Sequence, residues 1–160
     1  MTAKNTPSIE RVRQQAKSLD LAINILELEN STRTAQEAAS ACKCEVAQIV
    51  KSMIFERSDD NSLLLILVSG AHNADMRRLE DYFGCKLNRA DHKKIRNQTG
   101  FAIGGISPIG HLTPIPTFMD KSLLNFDVVW AAAGKPNAVF SVTPMQLSQS
   151  IGATEIEVVH

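Results

Sequence analysis

The chain has 160 residues, enough for a single domain with one hydrophobic core, and its 17 lysines and arginines are balanced by 17 aspartates and glutamates. The net charge of zero argues against a protein that coats nucleic acid through bulk positive charge, but it is compatible with a local basic patch. No apolar run approaches the roughly 18 residues that cross a bilayer, and the polar N-terminus lacks the apolar segment of a secretion signal. We therefore expect a cytoplasmic protein that does not contact membranes.

Helical spacing of apolar residues appears first after Pro7 and returns in five later segments that open with capping or helix-starting residues. These segments predict short helices beginning at Ser8, Thr34, Glu45, Asp75, Asp91 and Thr143. Between them, alternating or continuous apolar residues predict strands over residues 21–25, 62–69, 86–88, 118–119, 127–132, 138–142 and 156–159. A further apolar stretch, Met53–Phe55, follows the short helix predicted at Glu45.

The segment Ser62–Ser69 (SLLLILVS) is apolar without interruption and is followed by Gly70. Such a run is typical of a central strand that is buried on both faces. Its neighbours along the chain are helices and strands in alternation, with no repeat and no linker. We therefore predict an α/β fold, a single domain over residues 1–160 with a mixed central β-sheet flanked by short helices.

Lys51 and Ser52 form the first candidate site, because apolar residues bracket the pair on both sides (Ile49-Val50 and Met53–Phe55). Packing on either side can hold a lysine so that its ammonium points into a cleft. The alternative is a lysine whose stem covers the core while its charged end stays in water. The residues alone leave both interpretations open.

The second candidate is the segment Gly104–His111 (GGISPIGH). Glycines let a backbone approach a ligand closely, and N–H groups aimed at one point can stabilise an oxyanion. The alternative is a tight turn that needs glycine for its backbone angles. The segment is not a P-loop, because no Gly-Lys-Ser/Thr follows.

His72 and His111 are candidate general bases, although histidines with a purely structural role are commoner. Two basic clusters on predicted helices are candidates for phosphate binding or, alternatively, ordinary solvated faces: Arg77, Arg78, Lys93, Lys94 and Arg96.

No Ser-His-Asp set can be assembled from the sequence. The cysteines do not have zinc-site spacing, so we expect free thiols, no metal and no cofactor: Cys42, Cys44 and Cys85.

Taken in order, these segments resemble the YbaK family of prolyl-tRNA-editing domains over nearly the whole chain. The similarity comprises Ile49–Ser52, the strand Leu63–Val68 ending at Gly70, Thr99–Phe101, the loop Gly104–Gly110, Pro116-Thr117 with Asp120, and Ala133–Lys135. The resemblance implies a mixed-sheet α/β fold and hydrolysis of mischarged tRNA, in trans to a synthetase, without metal or cofactor. It also implies mischarged aminoacyl-tRNA as substrate and a transient contact with prolyl-tRNA synthetase.

By the same resemblance, Lys51 is the functional side chain and the loop Gly104–Pro108 holds the 3′ aminoacyl end. We therefore expect Lys51, Gly104 and Gly105 to be catalytic. The residues expected to bind substrate are Ser52, Gly70, Ile106, Ser107, Pro108 and His111. Some relatives carry an acidic or histidine side chain after the segment that matches Gly134-Lys135, where this chain has Asn137 and Val139. The resemblance therefore does not define the amino acid that is removed.

The implied substrates are tRNAs for proline that carry a small wrong amino acid such as alanine, cysteine or 2-aminobutyrate. A synthetase pocket rejects a missing methylene by only about 1–3 kcal/mol, so a second site that removes smaller amino acids is needed. Two alternatives remain. One is a non-catalytic tRNA 3′-end binding or regulatory module of the same fold, and the other is an enzyme that hydrolyses a different activated acyl ester.

Overall fold

A computed structural model describes residues 7–30, 32 and 34–159, and within them helices and strands alternate along the chain. The α-helices are α1 (Ser8–Ser18), α2 (Ala35–Cys42), α3 (Met76–Phe83), α4 (His92–Thr99) and α5 (Pro144–Ile151). The strands are β1 (Asn24–Glu27), β2 (Val50–Arg57), β3 (Leu63–Ser69), β4 (Leu87–Arg89), β5 (Thr117–Asp120), β6 (Val129–Ala132), β7 (Ala138–Val142) and β8 (Thr154–Ile156). Short 3-10 turns cover Val46–Gln48 and Lys121–Asn125.

The strands form two sheets. Five of them form a mixed sheet in the order β4-β2-β3-β5-β8, in which β5 is parallel to both β3 and β8 while the other pairs are antiparallel. The other three form an antiparallel sheet in the order β1-β7-β6. The prediction of an α/β fold with a mixed sheet and short helices is confirmed. The separate antiparallel sheet was not predicted.

Strand β3 is buried along its whole length, as its apolar run predicts. Because strand side chains alternate between faces, Leu63, Leu65 and Leu67 pack into the larger core with Phe140, while the intervening residues pack into a second core beneath α3. Each such side chain contributes about 1.5–3 kcal/mol when it leaves water. The central strand therefore joins both cores and anchors its neighbours.

Local capping explains where the helices begin. Asp75 accepts a hydrogen bond from the N–H of Arg78, and Asp91 accepts from Lys93 and Lys94, so both are N-caps as predicted. The helix predicted at Glu45 is only the 3-10 turn Val46–Gln48. Reciprocal hydrogen bonds between residues 45 and 48 close this turn, and the chain then enters β2.

Two predicted strands shift by two or three residues. The first begins at Asn24 rather than at residue 21, because Leu21 packs into the core before pairing with β7 begins. The last ends at Ile156, because Ile156 lies opposite Asp120, the final residue of β5. No helix in the described ranges is long and apolar enough to span a membrane.

Strand β2 has a partly open edge. It pairs with β3 over residues 50–56, but β4 contacts only Phe55–Arg57 on the other side. The open part faces β6, the edge strand of the smaller sheet, and a single bridge joins Ile49 to Trp130. The two sheets therefore separate beyond this bridge and leave a gap between their edges.

Candidate active site

A cleft of about 520 Å³ lies at the gap between β2 and β6. Residues from β2, α2, β4, the start of α4, the glycine segment and the β6–β7 turn line it. Four of the predicted site residues are among them: Lys51, Ser52, Gly104 and Ile106. The structure thus brings together two segments that are about fifty residues apart in sequence.

The charge of the cleft differs from that of the whole chain. Its lining contains the cations Lys51, Arg89 and Lys135 together with His92, and no carboxylate from the described residues. Ile54, Ala90, Ile106, Ala131 and Ala138 give part of the lining an apolar character. A chain of zero net charge therefore presents a positively charged cleft with an apolar side, which suits an anionic ligand that also carries a small apolar group.

The ammonium of Lys51 donates a hydrogen bond to the backbone carbonyl of His72. Burial lowers the pKa of Lys51, and the nearby Asp120 carboxylate partly opposes this shift. Strand alternation places Lys51 on the same face of β2 as Met53 and Phe55, whereas Ser52 shares a face with Val50 and Ile54. The turn that follows β3 therefore holds the ammonium of Lys51, a residue that lines the cleft.

Asp120 is only 2% exposed, and its carboxylate joins the polar groups around the turn that holds Lys51. Its carboxylate accepts hydrogen bonds from the N–H of Ser69 (3.1 Å), the N–H of Ser122 (3.0 Å) and the hydroxyl of Ser122 (2.8 Å). It also contacts Nδ1 of His72 at 2.8 Å. These contacts fix the turn whose carbonyl receives the Lys51 ammonium.

The grouping of Ser122, His72 and Asp120 is not a catalytic triad. The Ser122 hydroxyl lies 3.3 Å from Nδ1 of His72, the same nitrogen that contacts Asp120. In a triad the serine and the carboxylate use opposite nitrogens of the imidazole. Ser122 is therefore not activated as a nucleophile, in agreement with the absence of a triad in the sequence analysis.

The hydroxyl of Ser52 is buried, yet it has no hydrogen-bond partner among the described residues. A buried polar group without a partner costs about 1–3 kcal/mol. Since Ser52 lines the cleft, a bound molecule can supply the missing partner. This places Ser52 where the sequence analysis expected a substrate contact.

Gly104 is the glycine that faces the cleft. It is exposed, its φ is +93°, and a Cβ built on it would come no closer than 3.7 Å to another residue, at Pro136. The N–H groups of Gly104 and Ile106 have no acceptor within the described part of the chain. Since both residues line the cleft, we treat these two N–H groups as candidate donors to a ligand.

Gly105 has a different environment. It is buried and absent from the cleft lining, and a Cβ there would lie 2.9 Å from the Cα of Lys135. Its N–H already donates to the carbonyl of Ala102 at 3.0 Å. This geometry does not support the expectation that Gly105 is catalytic, because its N–H is already engaged and its close contact with the β6–β7 turn accounts for the glycine.

The second half of the glycine segment turns away from the cleft. Ser107 is fully buried, and its hydroxyl accepts from the N–H of Ile109 at 3.3 Å. Pro108 and His111 line a separate pocket of about 220 Å³ between α1 and α5. Nε2 of His111 lies 2.6 Å from the Ser107 carbonyl, and burial lowers the pKa of this histidine. The structure does not bring these three residues to the cleft.

Gly70 also lies outside the cleft lining. A Cβ at this position would be 2.5 Å from the carbonyl oxygen of Val46, and its N–H donates to the carbonyl of Ile49 at 2.7 Å. Close packing of the turn after β3 against the 3-10 turn therefore accounts for this glycine. No group of three or more histidines, cysteines or acidic residues among the described residues is placed to hold a metal ion.

Similarity to known proteins identifies the family. The profile described as "Aminoacyl-tRNA editing domain" matches residues 29–149, which contain the whole cleft. The chain belongs to this family.

Three relatives of this chain cover between 72% and 97% of its length. A solved structure of a candidate trans-editing enzyme for prolyl tRNA synthetase is 40% identical, with a TM-score of 0.89 over 97% of this chain and 98% of that one. The uncharacterized protein YwhH of Bacillus subtilis is 29% identical over 89% of this chain and 90% of its own length. EbsC of Enterococcus faecalis, a candidate Cys-tRNA(Pro)/Cys-tRNA(Cys) deacylase, is 24% identical over 72% of this chain and 76% of its own.

The sequence analysis of this editing domain missed Arg11. Its Nε donates to the carbonyl of Gly110 (3.1 Å) and its terminal nitrogen to that of Gly100 (2.8 Å), while the guanidinium lies 4.9 Å from the centroid of the Phe101 ring. Arg11 thus binds the chain on both sides of Gly104, at Gly100 before the glycine segment and at Gly110 near its end. The only available signal was a cation among the apolar residues of α1, which is ambiguous because such a side chain can also reach solvent.

Proposed function

We propose that this editing domain is a trans-acting aminoacyl-tRNA deacylase, which hydrolyses the ester between tRNA and a wrongly attached amino acid. One observation carries the proposal: a cationic cleft brings together Lys51, the unpartnered hydroxyl of Ser52 and the free N–H groups of Gly104 and Ile106. Family membership supports the substrate class. We place the activity in the cytoplasm, where tRNAs are charged.

The chemistry is ester hydrolysis. Water adds to the carbonyl carbon of the aminoacyl ester, the bond to the ribose oxygen breaks, and the products are a free amino acid and a tRNA with a free 3′ end. In our proposal the N–H groups of Gly104 and Ile106 donate to the oxyanion that forms during this addition. The ammonium of Lys51 stabilises negative charge at the same end of the cleft, and the neighbouring 2′-hydroxyl of the tRNA assists the transfer of the proton.

The proposed amino acid is small. Alanine and isoleucine side chains form part of the apolar lining of the cleft (Ile54, Ala90, Ile106, Ala131 and Ala138), and we infer that this part receives a short aliphatic group. The names of two relatives refer to prolyl tRNA synthetase and to Cys-tRNA(Pro). We therefore propose tRNA for proline carrying alanine, cysteine or 2-aminobutyrate as the substrate, with prolyl-tRNA synthetase as a transient partner.

A second candidate is a non-catalytic module that binds the 3′ end of tRNA. The positive lining of the cleft would serve binding alone equally well. Turnover separates the two functions, because a binder protects the ester whereas a deacylase removes it.

The test is a hydrolysis screen with the purified protein. Proline tRNA charged with radiolabelled alanine, cysteine, serine, 2-aminobutyrate or proline is incubated with the protein, and loss of label from the tRNA is followed over time. We expect at least one of the small non-cognate amino acids to be released much faster than by spontaneous hydrolysis, while prolyl-tRNA remains intact. Binding of charged tRNA without accelerated release of any amino acid would instead establish the non-catalytic module.

A further inference from the structure

The cations of the cleft come from three separate elements: Lys51 from β2, Arg89 from the end of β4 and Lys135 from the β6–β7 turn. Lys51 is held by the His72 carbonyl at the end of the cleft assigned to the ester. The side chains of Arg89 and Lys135 are exposed and form no ion pair with any described residue. The proposed function therefore gives no role to two cations of the lining, Arg89 and Lys135.

The carboxylates near Arg89 are engaged elsewhere. Glu56, which is adjacent in the sheet to the residue paired with Arg89, forms an ion pair with Lys94. Asp91, two residues after Arg89, caps α4 by accepting from the N–H groups of Lys93 and Lys94. Neither carboxylate forms an ion pair with Arg89.

The basic clusters expected from the sequence to hold phosphates are placed differently. Arg78 binds the carbonyl and the carboxylate of Glu157, and Lys94 is paired with Glu56. None of the predicted cluster residues lines the cleft. The structure therefore does not bring these helix cations to the cleft.

Apolar side chains line the same cleft as Arg89 and Lys135. Ile103, which precedes Gly104, is 53% exposed, and Trp130 lines the same cleft. Exposed apolar and aromatic side chains beside cations are the combination that single-stranded nucleic acid requires, because bases stack on the former while phosphates bind the latter. The bases of a duplex are already stacked on one another, so a duplex would need only the cations for its phosphates.

We propose that Arg89 and Lys135 bind phosphates of the single-stranded 3′ end of the tRNA, and that Trp130 and Ile103 support its terminal bases. This inference rests on the proposed function, since it extends the site from the ester into the nucleotides that carry it. With only two phosphate contacts, binding should depend weakly on salt, which agrees with a chain of zero net charge.

The experiment compares two substrates in R89A, K135A and the double variant. One is alanyl-tRNA for proline, and the other is 3′-alanyl-adenosine, which keeps the ester but has no phosphate. We expect KM for the tRNA to rise in each single variant and further in the double variant. The slope of log KM against log salt should become shallower by about 0.7 for each cation removed, as for single-stranded ligands. Hydrolysis of alanyl-adenosine should not change.

R77A is the matched control, because Arg77 lies on α3 and does not line the cleft; its KM and salt slope should equal those of the unaltered protein. An equal loss with alanyl-adenosine, or an unchanged salt slope in the double variant, would overturn the inference. If the unaltered protein hydrolyses neither substrate, the proposed function fails, and binding of an uncharged oligonucleotide ending in CCA by the same variants still tests the phosphate contacts.

Discussion

The two halves of the glycine segment are adjacent in sequence but differ in environment. Gly104 and Ile106 line the cleft and have free N–H groups, whereas Ser107, Pro108 and His111 are buried or face the second pocket between α1 and α5. The first half can contact substrate, and the second half holds the first in position. Within one continuous motif, some residues are therefore constrained by the cleft and others by packing in the protein interior. A residue that belongs to the motif does not necessarily contact the ligand.

The same division appears around Lys51. The lysine lines the cleft, while His72, Asp120 and Ser122 lie behind it and connect the turn after β3 to the end of β5. If this division is correct, cleft residues should affect turnover with little effect on stability, and the residues behind them should do the reverse.

The largest expected effect follows from Lys51→Ala. We expect deacylation to fall by roughly 100-fold or more, the range seen when one electrostatic stabiliser of a developing oxyanion is removed. The fold should persist, because the side chain is only partly buried and ends in a cleft. Single-turnover deacylation and a thermal melt on the same preparation measure both quantities.

Lys51→Arg serves as the conservative control for the alanine variant. The charge is retained, but the planar guanidinium cannot occupy the place of a compact ammonium at the His72 carbonyl, so we expect only partial recovery of the rate. Near-normal turnover by folded Lys51→Ala protein would remove Lys51 from the mechanism.

Gly104 and Gly105 allow a direct comparison of a residue that lines the cleft with a neighbour that does not. In Gly105→Ala the added Cβ meets the backbone of Lys135, so we expect a loss of about 1–3 kcal/mol in stability, typical of overpacking. In Gly104→Ala the Cβ has space, and only the positive φ costs about 1 kcal/mol. Gly104→Ala should nevertheless slow deacylation more, because residue 104 lines the cleft, where an added side chain and an altered φ would disturb the bound ester. A larger rate loss for folded Gly105→Ala protein would reverse the assignment.

Asp120→Asn tests the residues behind Lys51. The amide cannot accept all the hydrogen bonds that the carboxylate receives from Ser69, Ser122 and His72, and an unsatisfied buried donor costs about 1–3 kcal/mol. We expect a lower denaturant midpoint and a moderate loss of turnover that is smaller than for Lys51→Ala. Ser122→Ala is the companion variant, since a nucleophile would be inactivated by it whereas a supporting hydroxyl would not.

The smallest effect concerns His111. Burial lowers the pKa of this histidine in the folded protein, so the unfolded chain binds a proton that the folded chain resists. Stability should therefore fall as the pH drops below about 6.5, the ordinary histidine value. His111→Phe should reduce this dependence in melts recorded between pH 8 and pH 5 and leave turnover at neutral pH unchanged. An identical pH dependence in both proteins, or loss of turnover, would contradict a purely supporting role.

Local signals accounted for much of the fold. Asp75 and Asp91 cap helices as predicted, and the apolar run of β3 indicated a central strand because no solvent-exposed strand can be apolar on both faces. The division into two sheets was not predicted, because it depends on which strands pair across more than a hundred residues. The pairing of β1 with β7 is one such contact.

The candidate site was predictable to the extent that a motif carried it. Lys51, Ser52 and Gly104 do meet in one cleft, as the order and spacing of the motifs indicated. Arg89 carries no local signal, and Lys135 belongs to a matching segment to which no role was assigned, because their association with Lys51 exists only after β4 and the β6–β7 turn are placed beside β2. The separation of Gly105 from Gly104 also depends on packing against Lys135, which no local pattern encodes.

The position of Arg11 has a practical consequence for how this domain is delimited. The family match begins at residue 29, yet Arg11 on α1 binds the carbonyls of Gly100 and Gly110 on either side of Gly104, and Ser8 packs where a side chain on Gly134 would lie. A chain trimmed to the matched residues would still contain every residue that lines the cleft, but it would lack the Arg11 hydrogen bonds on both sides of Gly104. Such a fragment could be inactive because it lacks the hydrogen bonds that Arg11 donates, even though it retains every residue of the cleft. Its inactivity would therefore not argue against catalysis by the full chain.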